Sequence, residues 1–159
     1  MDVSVINPFL NSTMRLFRQM YALTPTYGKP FLVDNSGGHR WEISGVIGMV
    51  GSYEGIVVLR VTTVLATKLL EKSGLVITEE SERLQIMNEM ISEFVNIISG
   101  TALPEIKDKN IELTPPFTVK GKNHTLSWPS KAPVIGVPFF TNWGPFEVQV
   151  SIIEQKGTK

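Results

Sequence analysis

Apolar residues return along this chain with two periods, and the change of period divides it. Between Val3 and Leu23 the spacing is helical. Phe9, Leu16, Met20 and Leu23 fall near one face, and Pro8 suits a first helical turn. TPTYGKP then breaks the pattern with two prolines and a glycine. WEISGVIGMVG and GIVVLRVTT are rich in β-branched residues and predict strands, joined through GSYEG by a hairpin connection of the longer kind. A short helix is expected from Val64 to Lys72, ending at Gly74. LVITEESERLQIMNEMISEFVNIISG holds the longest helix. Thr78 can cap it, Glu79, Glu80 and Glu82 sit where the helix dipole favours negative charge, and Gly100 is the expected stop.

The last third returns to strand periodicity in NIELTPPFTVKG, HTLSWP, PVIGVPFF and PFEVQVSII. In the final segment Phe146, Val148, Val150 and Ile152 face one way, and Glu147, Gln149 and Ser151 the other. The order of elements is helix, strands, short helix, long helix, strands. It reads as two copies of a helix-then-sheet unit with a helix between them. Segregated helices and strands predict an α+β fold, with two helix-plus-strand halves forming a mixed or antiparallel sheet packed against two long helices. The expected organisation is a single domain over 1–155 and a flexible tail over 156–159.

The long helix carries two stripes. Leu84, Met87, Ile91, Phe94 or Val95, and Ile98 are spaced by three and four and form the expected core face. Glu89, Glu93, Asn96 and Gly100 share another face by the same spacing, flanked by Ile86, Met90 and Ile97. A polar pair inside an apolar rim, turned away from the core, suits docking better than plain solvation. Asparagine is not a proton-transfer group at neutral pH. Its carboxamide offers two donors and one acceptor in a fixed plane, which suits it to orient a water molecule. Glutamate offers a charge that pairs with lysine or arginine. Together they fit positioning chemistry, and phosphoryl transfer is the reaction class that depends most on positioning and electrostatics. By spacing alone the pair also fits an ordinary solvated helix face.

Composition narrows the field. The 159 residues are 42% hydrophobic and 19% charged with formal net charge zero, an ordinary globular balance that favours neither a nucleic-acid backbone nor an anionic membrane. There is no cysteine, so disulfides and thiol nucleophiles are excluded, and a reducing cytoplasm is the expected location. The opening residues lack a basic start followed by an apolar block, and no apolar run is long enough to span a bilayer, so neither a signal peptide nor membrane insertion is expected. With only two histidines and no His/Asp/Glu motif at ligand spacing, no metal site and no bound cofactor are expected. His39 and His124 read as turn residues, at the surface or hydrogen-bonding, rather than as catalytic bases. Trp41, Trp128 and Trp143 read as packing residues of the core or of a dimer interface. DNSGGHR lacks the lysine and hydroxyl spacing of a phosphate loop and reads as a turn, and KDKN as a solvated one.

ISEFVNIISG followed by IELTPPFTVKG resembles the CheX branch of the CheC/CheX/FliY family of chemotaxis response-regulator phosphatases. That family carries a Glu-x-x-Asn pair on a long helix and then a strand that opens near a proline. GMVGSYEGIVVL is similar to its Gly-rich hairpin and YGKPFLV to its first strand segment, so the resemblance spans essentially the whole chain. It implies a CheC-like fold and a cytoplasmic enzyme that hydrolyses the aspartyl phosphate of a phosphorylated CheY-type response regulator. In that reading Glu93 and Asn96 are the catalytic residues: Asn96 enters the partner's active site and orients the attacking water, and Glu93 pairs with the partner's active-site lysine. Glu89, Met90, Ile97 and Gly100 are the expected partner-binding residues. Mg2+ and the phosphorylated carboxylate belong to the partner, and a homodimer joined through sheet edges is expected.

The chain departs from the family pattern in three ways. Glu89 stands where Asp or Ser is usual, four residues before the glutamate. The proline, Pro115 or Pro116, lies slightly nearer the helix. The N-terminal helix, with NSTMRLFRQMYAL, holds no second Glu-x-x-Asn, which matches the one-site CheX branch. The alternative reading is a non-catalytic adaptor of the same fold that binds a receiver or a flagellar-switch component. A third is an unrelated α+β domain with a closed pocket lined by the tryptophans.

Overall fold

The computed structural model describes residues 3–34, 40–106, 110–122, 124, 126 and 132–155. Three helices, α1 (Val3–Tyr21), α2 (Thr63–Lys72) and α3 (Glu80–Ala102), pack on one face of an antiparallel sheet. The strands are β1 (Thr26–Tyr27), β2 (Phe31–Leu32), β3 (Ile43–Gly51), β4 (Tyr53–Val61), β5 (Ile111–Leu113), β6 (Phe117–Lys120), β7 (Ile135–Thr141) and β8 (Gly144–Glu154). Their order is β1-β7-β8-β4-β3-β5, with β2 also on β7 and β6 also on β3. Among the described residues every pairing is antiparallel, the second of the two sheet types expected. The two long hairpins, β3–β4 and β7–β8, meet at the central β4·β8 pair. Each is extended at its outer edge by short strands from the other end of the chain, β5 and β6 on β3, and β1 and β2 on β7.

Alternation explains which face is covered. Val57, Leu59 and Val61 of β4 and Phe146, Val148, Val150 and Ile152 of β8 point to the helices and are buried with Phe9, Phe17, Leu65, Leu69, Ile91 and Phe94. Phe146 stacks between Phe17 and Phe139, at centroid distances of 4.7 and 4.9 Å. The intervening residues face the other side, where Val46, Ile56 and Val58 form a second cluster. Arg60 is also buried there. Its Nε donates to Ser44 Oγ at 3.1 Å and its Nη2 to the His124 carbonyl at 2.8 Å. Burial lowers the Arg60 pKa, and Glu147, its cross-strand neighbour, opposes that shift. His124 Nε2 bonds Ser44 Oγ at 2.7 Å, which selects the hydrogen-bonding one of its two expected roles. Trp41 is buried and Trp143 packs edge-on against Tyr21.

Several element boundaries differ from the sequence expectations. α1 stops at Tyr21 rather than Leu23, because Ala22 takes a left-handed φ of 50° and lets the Leu23 amide reach back to the Phe17 carbonyl at 3.3 Å. α2 begins at Thr63, with Thr62 Oγ1 accepting from the Leu65 amide at 3.1 Å. Thr78 does not cap α3: Glu79 holds the N-cap position without a side-chain bond. Gly100 does not end α3 either. The helix continues to Ala102, which is fully buried, and the chain then enters a 3-10 turn containing Pro104. A helical glycine costs about 1 kcal/mol, which burial of the next turn offsets.

NIELTPPFTVKG forms β5 and β6 rather than one strand. Pro115 and Pro116 have no amide to donate, and Thr114 bridges the gap: its Oγ1 accepts from the Gly48 amide at 2.8 Å and its own amide donates to the Gly48 carbonyl at 2.9 Å. In HTLSWP, His124 and Leu126 lie outside any strand. The rest of that segment, His39 with most of DNSGGHR, most of KDKN, Trp128 and the 156–159 tail lie outside the described residues.

Candidate functional site

α3 is held to the sheet by a close approach. Met87, Ile91, Phe94, Val95 and Ile98 are buried beneath it, as their spacing predicts. Under its middle lies Gly45 of β3. A Cβ there would stand 2.7 Å from the Ile91 carbonyl oxygen, so only glycine lets the helix backbone settle at this depth. The position of the next turn, which carries Glu93 and Asn96, depends on that contact.

Opposite the buried stripe, Glu89, Glu93 and Gly100 are exposed and Asn96 is half-buried. Among the described residues the side chains of Glu93 and Asn96 make no hydrogen bond or ion pair. Glu89 accepts a long hydrogen bond from Gln85 Nε2 at 3.4 Å, one turn back on the same helix. Beside Gly100 there is open space, with nothing within 4 Å of where a Cβ would stand. Ile97 is exposed at the rim, whereas Met90 and Ile86 are half-buried and packed against the core. A carboxylate and a carboxamide are thus presented one turn apart on a rigid helix, with their hydrogen-bonding capacity unspent.

Leu84 departs from the expected core face. It is 41% exposed and lines an open groove of about 630 Å3 between α3 and β6. Glu89, Glu93 and Ser92 form the α3 wall of that groove, and Phe117 and Lys120 of β6 the other. The β6 residues escape sequence reasoning because nothing in the local pattern of FTVK says which helix the strand will lie beside. The only local signal is Phe117 itself, a large apolar residue at a strand start, 50% exposed. Among the described residues no group of three or more His, Cys, Asp or Glu could hold a metal ion, and no helix is long and apolar enough to cross a membrane.

The comparisons with known proteins agree with this architecture. The family model described as chemotaxis phosphatase CheX matches residues 43–140. The CheY-P phosphatase CheX of Thermotoga maritima is 25% identical over 126 residues, which cover 77% of this chain and 79% of that protein. A CheC-like superfamily protein from Shewanella sp. PV-4 superposes with a TM-score of 0.82 at 28% identity, covering 96% of this chain and 99% of that one. A chain of the CheX-CheY-BeF3-Mg2+ complex from Borrelia burgdorferi superposes with a TM-score of 0.79 over 94% of this chain and 98% of that one. At 24% identity, that last likeness speaks to the shared CheC-like fold.

Proposed function

Because the chain belongs to the chemotaxis phosphatase CheX family, we propose that it hydrolyses the aspartyl phosphate of a phosphorylated CheY-type response regulator. The observation that carries this reading is the pair Glu93 and Asn96. Both project from the solvent side of a helix whose other side is locked into the core, and neither side chain is engaged within the described residues. The Thermotoga maritima relative is named for this activity, and the Borrelia burgdorferi relative was crystallised with CheY, BeF3 and Mg2+.

In this reading the outward side of α3 faces the receiver's active site, and Asn96 enters it. The Asn96 carboxamide orients a water in line with phosphorus. The water oxygen forms the new P–O bond, the bond to the receiver's aspartate breaks, and inorganic phosphate and a free carboxylate result. Glu93 pairs with the receiver's active-site lysine and fixes the register. Mg2+ and the phosphorylated carboxylate are the partner's contribution. This division asks little covalent chemistry of the phosphatase.

We further read the chain as one domain over 1–155, working in the cytoplasm as a homodimer. Its two halves, α1 with β1–β4 and α3 with β5–β8, exchange their short strands. The crosswise edge pairing and the central β4·β8 contact support the two-half reading.

The test is the decay rate of a phosphorylated CheY-type receiver from the same genome, with and without the protein. Acceleration that disappears in Asn96→Ala supports the reading. Binding to the phosphorylated receiver without acceleration would make the protein an adaptor instead.

A further inference from the structure

The groove between α3 and β6 runs from Glu93 toward the start of α3. Its helix wall presents Glu89 about 6 Å from Glu93, the usual separation of residues four apart on a helix. Its strand wall presents Lys120. Among the described residues Glu89, Glu93 and Lys120 are not engaged in an ion pair, so charges of both signs stand open on facing walls. Between them, Leu84 and Phe117 are 41% and 50% exposed on opposite walls. An apolar centre framed by polar and charged groups is the anatomy of a protein interface rather than of a small-molecule cavity.

We propose that this groove is the selectivity half of the receiver-docking surface. It takes a segment of the phosphorylated receiver that lays an apolar side chain between Leu84 and Phe117, a basic one against Glu89 and an acidic one against Lys120. The inference rests on the reading of Glu93 and Asn96 as the receiver-facing pair, with which the groove is continuous through Glu93. Labour is then divided along one helix. Asn96 acts on the attacking water, and the groove decides which receiver is held there. Gln85 Nε2, one turn back on the same wall, donates a long hydrogen bond to Glu89 at 3.4 Å. Charge complementarity of this kind governs encounter, register and the rejection of wrong partners rather than bond breaking. Glu89 and Lys120 are therefore specificity-determining residues, not catalytic ones.

The experiment measures decay of the phosphorylated CheY-type receiver across a range of receiver concentrations, at low and high salt. It compares wild type, Glu89→Lys, Lys120→Glu, the milder Glu89→Gln, and Asn96→Ala. Each charge reversal is expected to raise KM roughly five- to tenfold at low salt, to leave kcat within about twofold, and to flatten the salt dependence. Glu89→Gln should fall between wild type and Glu89→Lys. A purely structural role for either residue would leave the salt dependence unmoved. If both reversals keep the wild-type KM and salt dependence while Asn96→Ala loses turnover, the groove is not the docking wall and the proposed function stands. If wild type neither binds nor dephosphorylates the receiver, the proposed function falls and this inference with it.

Discussion

α1 and α3 lie side by side on the same face of the sheet, yet they spend their polar groups in opposite ways. In α1 the mid-helix hydroxyls of Ser12 and Thr13 are buried, and Thr13 Oγ1 donates to the Phe9 carbonyl at 2.7 Å. α3 also buries a serine, Ser99, but turns Glu89, Glu93 and Asn96 outward. A back-bond to the preceding turn is the nearest way to satisfy a polar group inside a helix packing face, and Thr13 takes it, whereas the buried Ser99 hydroxyl finds no partner among the described residues. One on the outer face can keep its bonds for a partner. The two helices thus show how the same packing position supports a structural element in one half of the chain and a candidate recognition element in the other.

Asn96→Ala tests this contrast with the largest expected effect. Misplacing the attacking water costs on the order of a hundredfold in turnover, while the melting temperature should stay near wild type, since the half-buried Asn96 side chain makes no hydrogen bond among the described residues that the change would break. Arg15→Ala, on the exposed side of α1, should change neither. The two readouts are receiver dephosphorylation and thermal denaturation. Equal effects from the two helices would erase the distinction.

Gly45→Ala probes how α3 is seated. The added methyl meets the Ile91 carbonyl oxygen at 2.7 Å, so the helix must shift or the core must strain, at about 1–3 kcal/mol. Denaturant unfolding should show that loss. Turnover of the surviving folded protein should fall as well, because Glu93 and Asn96 ride on the displaced turn. Full stability in this variant would show that the close approach does not set the helix.

Tyr21, the last residue of α1, ties that helix to both α3 and α2. Its ring meets Phe94 of α3 at a centroid distance of 6.3 Å, and its hydroxyl donates to the Leu69 carbonyl at 3.1 Å. Burial pushes its pKa from 10.0 up to about 12. The unfolded chain loses this proton first, so the contribution is complete below pH 10 and is lost as pH rises toward about 12. A decline on the order of 1 kcal/mol per pH unit is expected in that window, and it should be shallower in Tyr21→Phe. Unfolding free energies measured from pH 9 to 12 check it.

The smallest effect is a gain. Ala22 holds a left-handed φ of 50°, where a methyl group is unfavourable and glycine is not. Ala22→Gly should raise stability by roughly 0.5–1 kcal/mol, read as a higher denaturation midpoint, with dephosphorylation unchanged. A loss of stability would mean that the end of α1 tolerates alanine without strain.

Local patterns carried much of this structure. The stripe from Met87 to Ile98, the alternation in β8 and the proline-rich break after α1 each depend on a few neighbouring residues, so periodicity reveals them. Glu93 and Asn96 were visible as polar positions on the far side of that stripe, and the family resemblance singled them out. Gly100 carries an end signal worth about a kcal/mol, which burial of Ala102 outweighed, and α3 starts after Glu79 without a side-chain cap where Thr78 offered one. Leu84 follows the core spacing but lies where α3 faces the groove beside β6 rather than the core.

By itself the sequence determined the coarse order of helices and strands, the buried stripe of α3 from Met87 to Ile98, the alternation of β8, and the pair of groups the long helix holds out. Tertiary structure alone decided that β5 and β6 border β3 while β1 and β2 border β7, and so that Phe117 and Lys120 stand across a groove from Glu89. The physical reason is range. Periodicity records what one segment does against a generic core, whereas strand partners distant in the chain are chosen by which edges stay open once the hairpins have met.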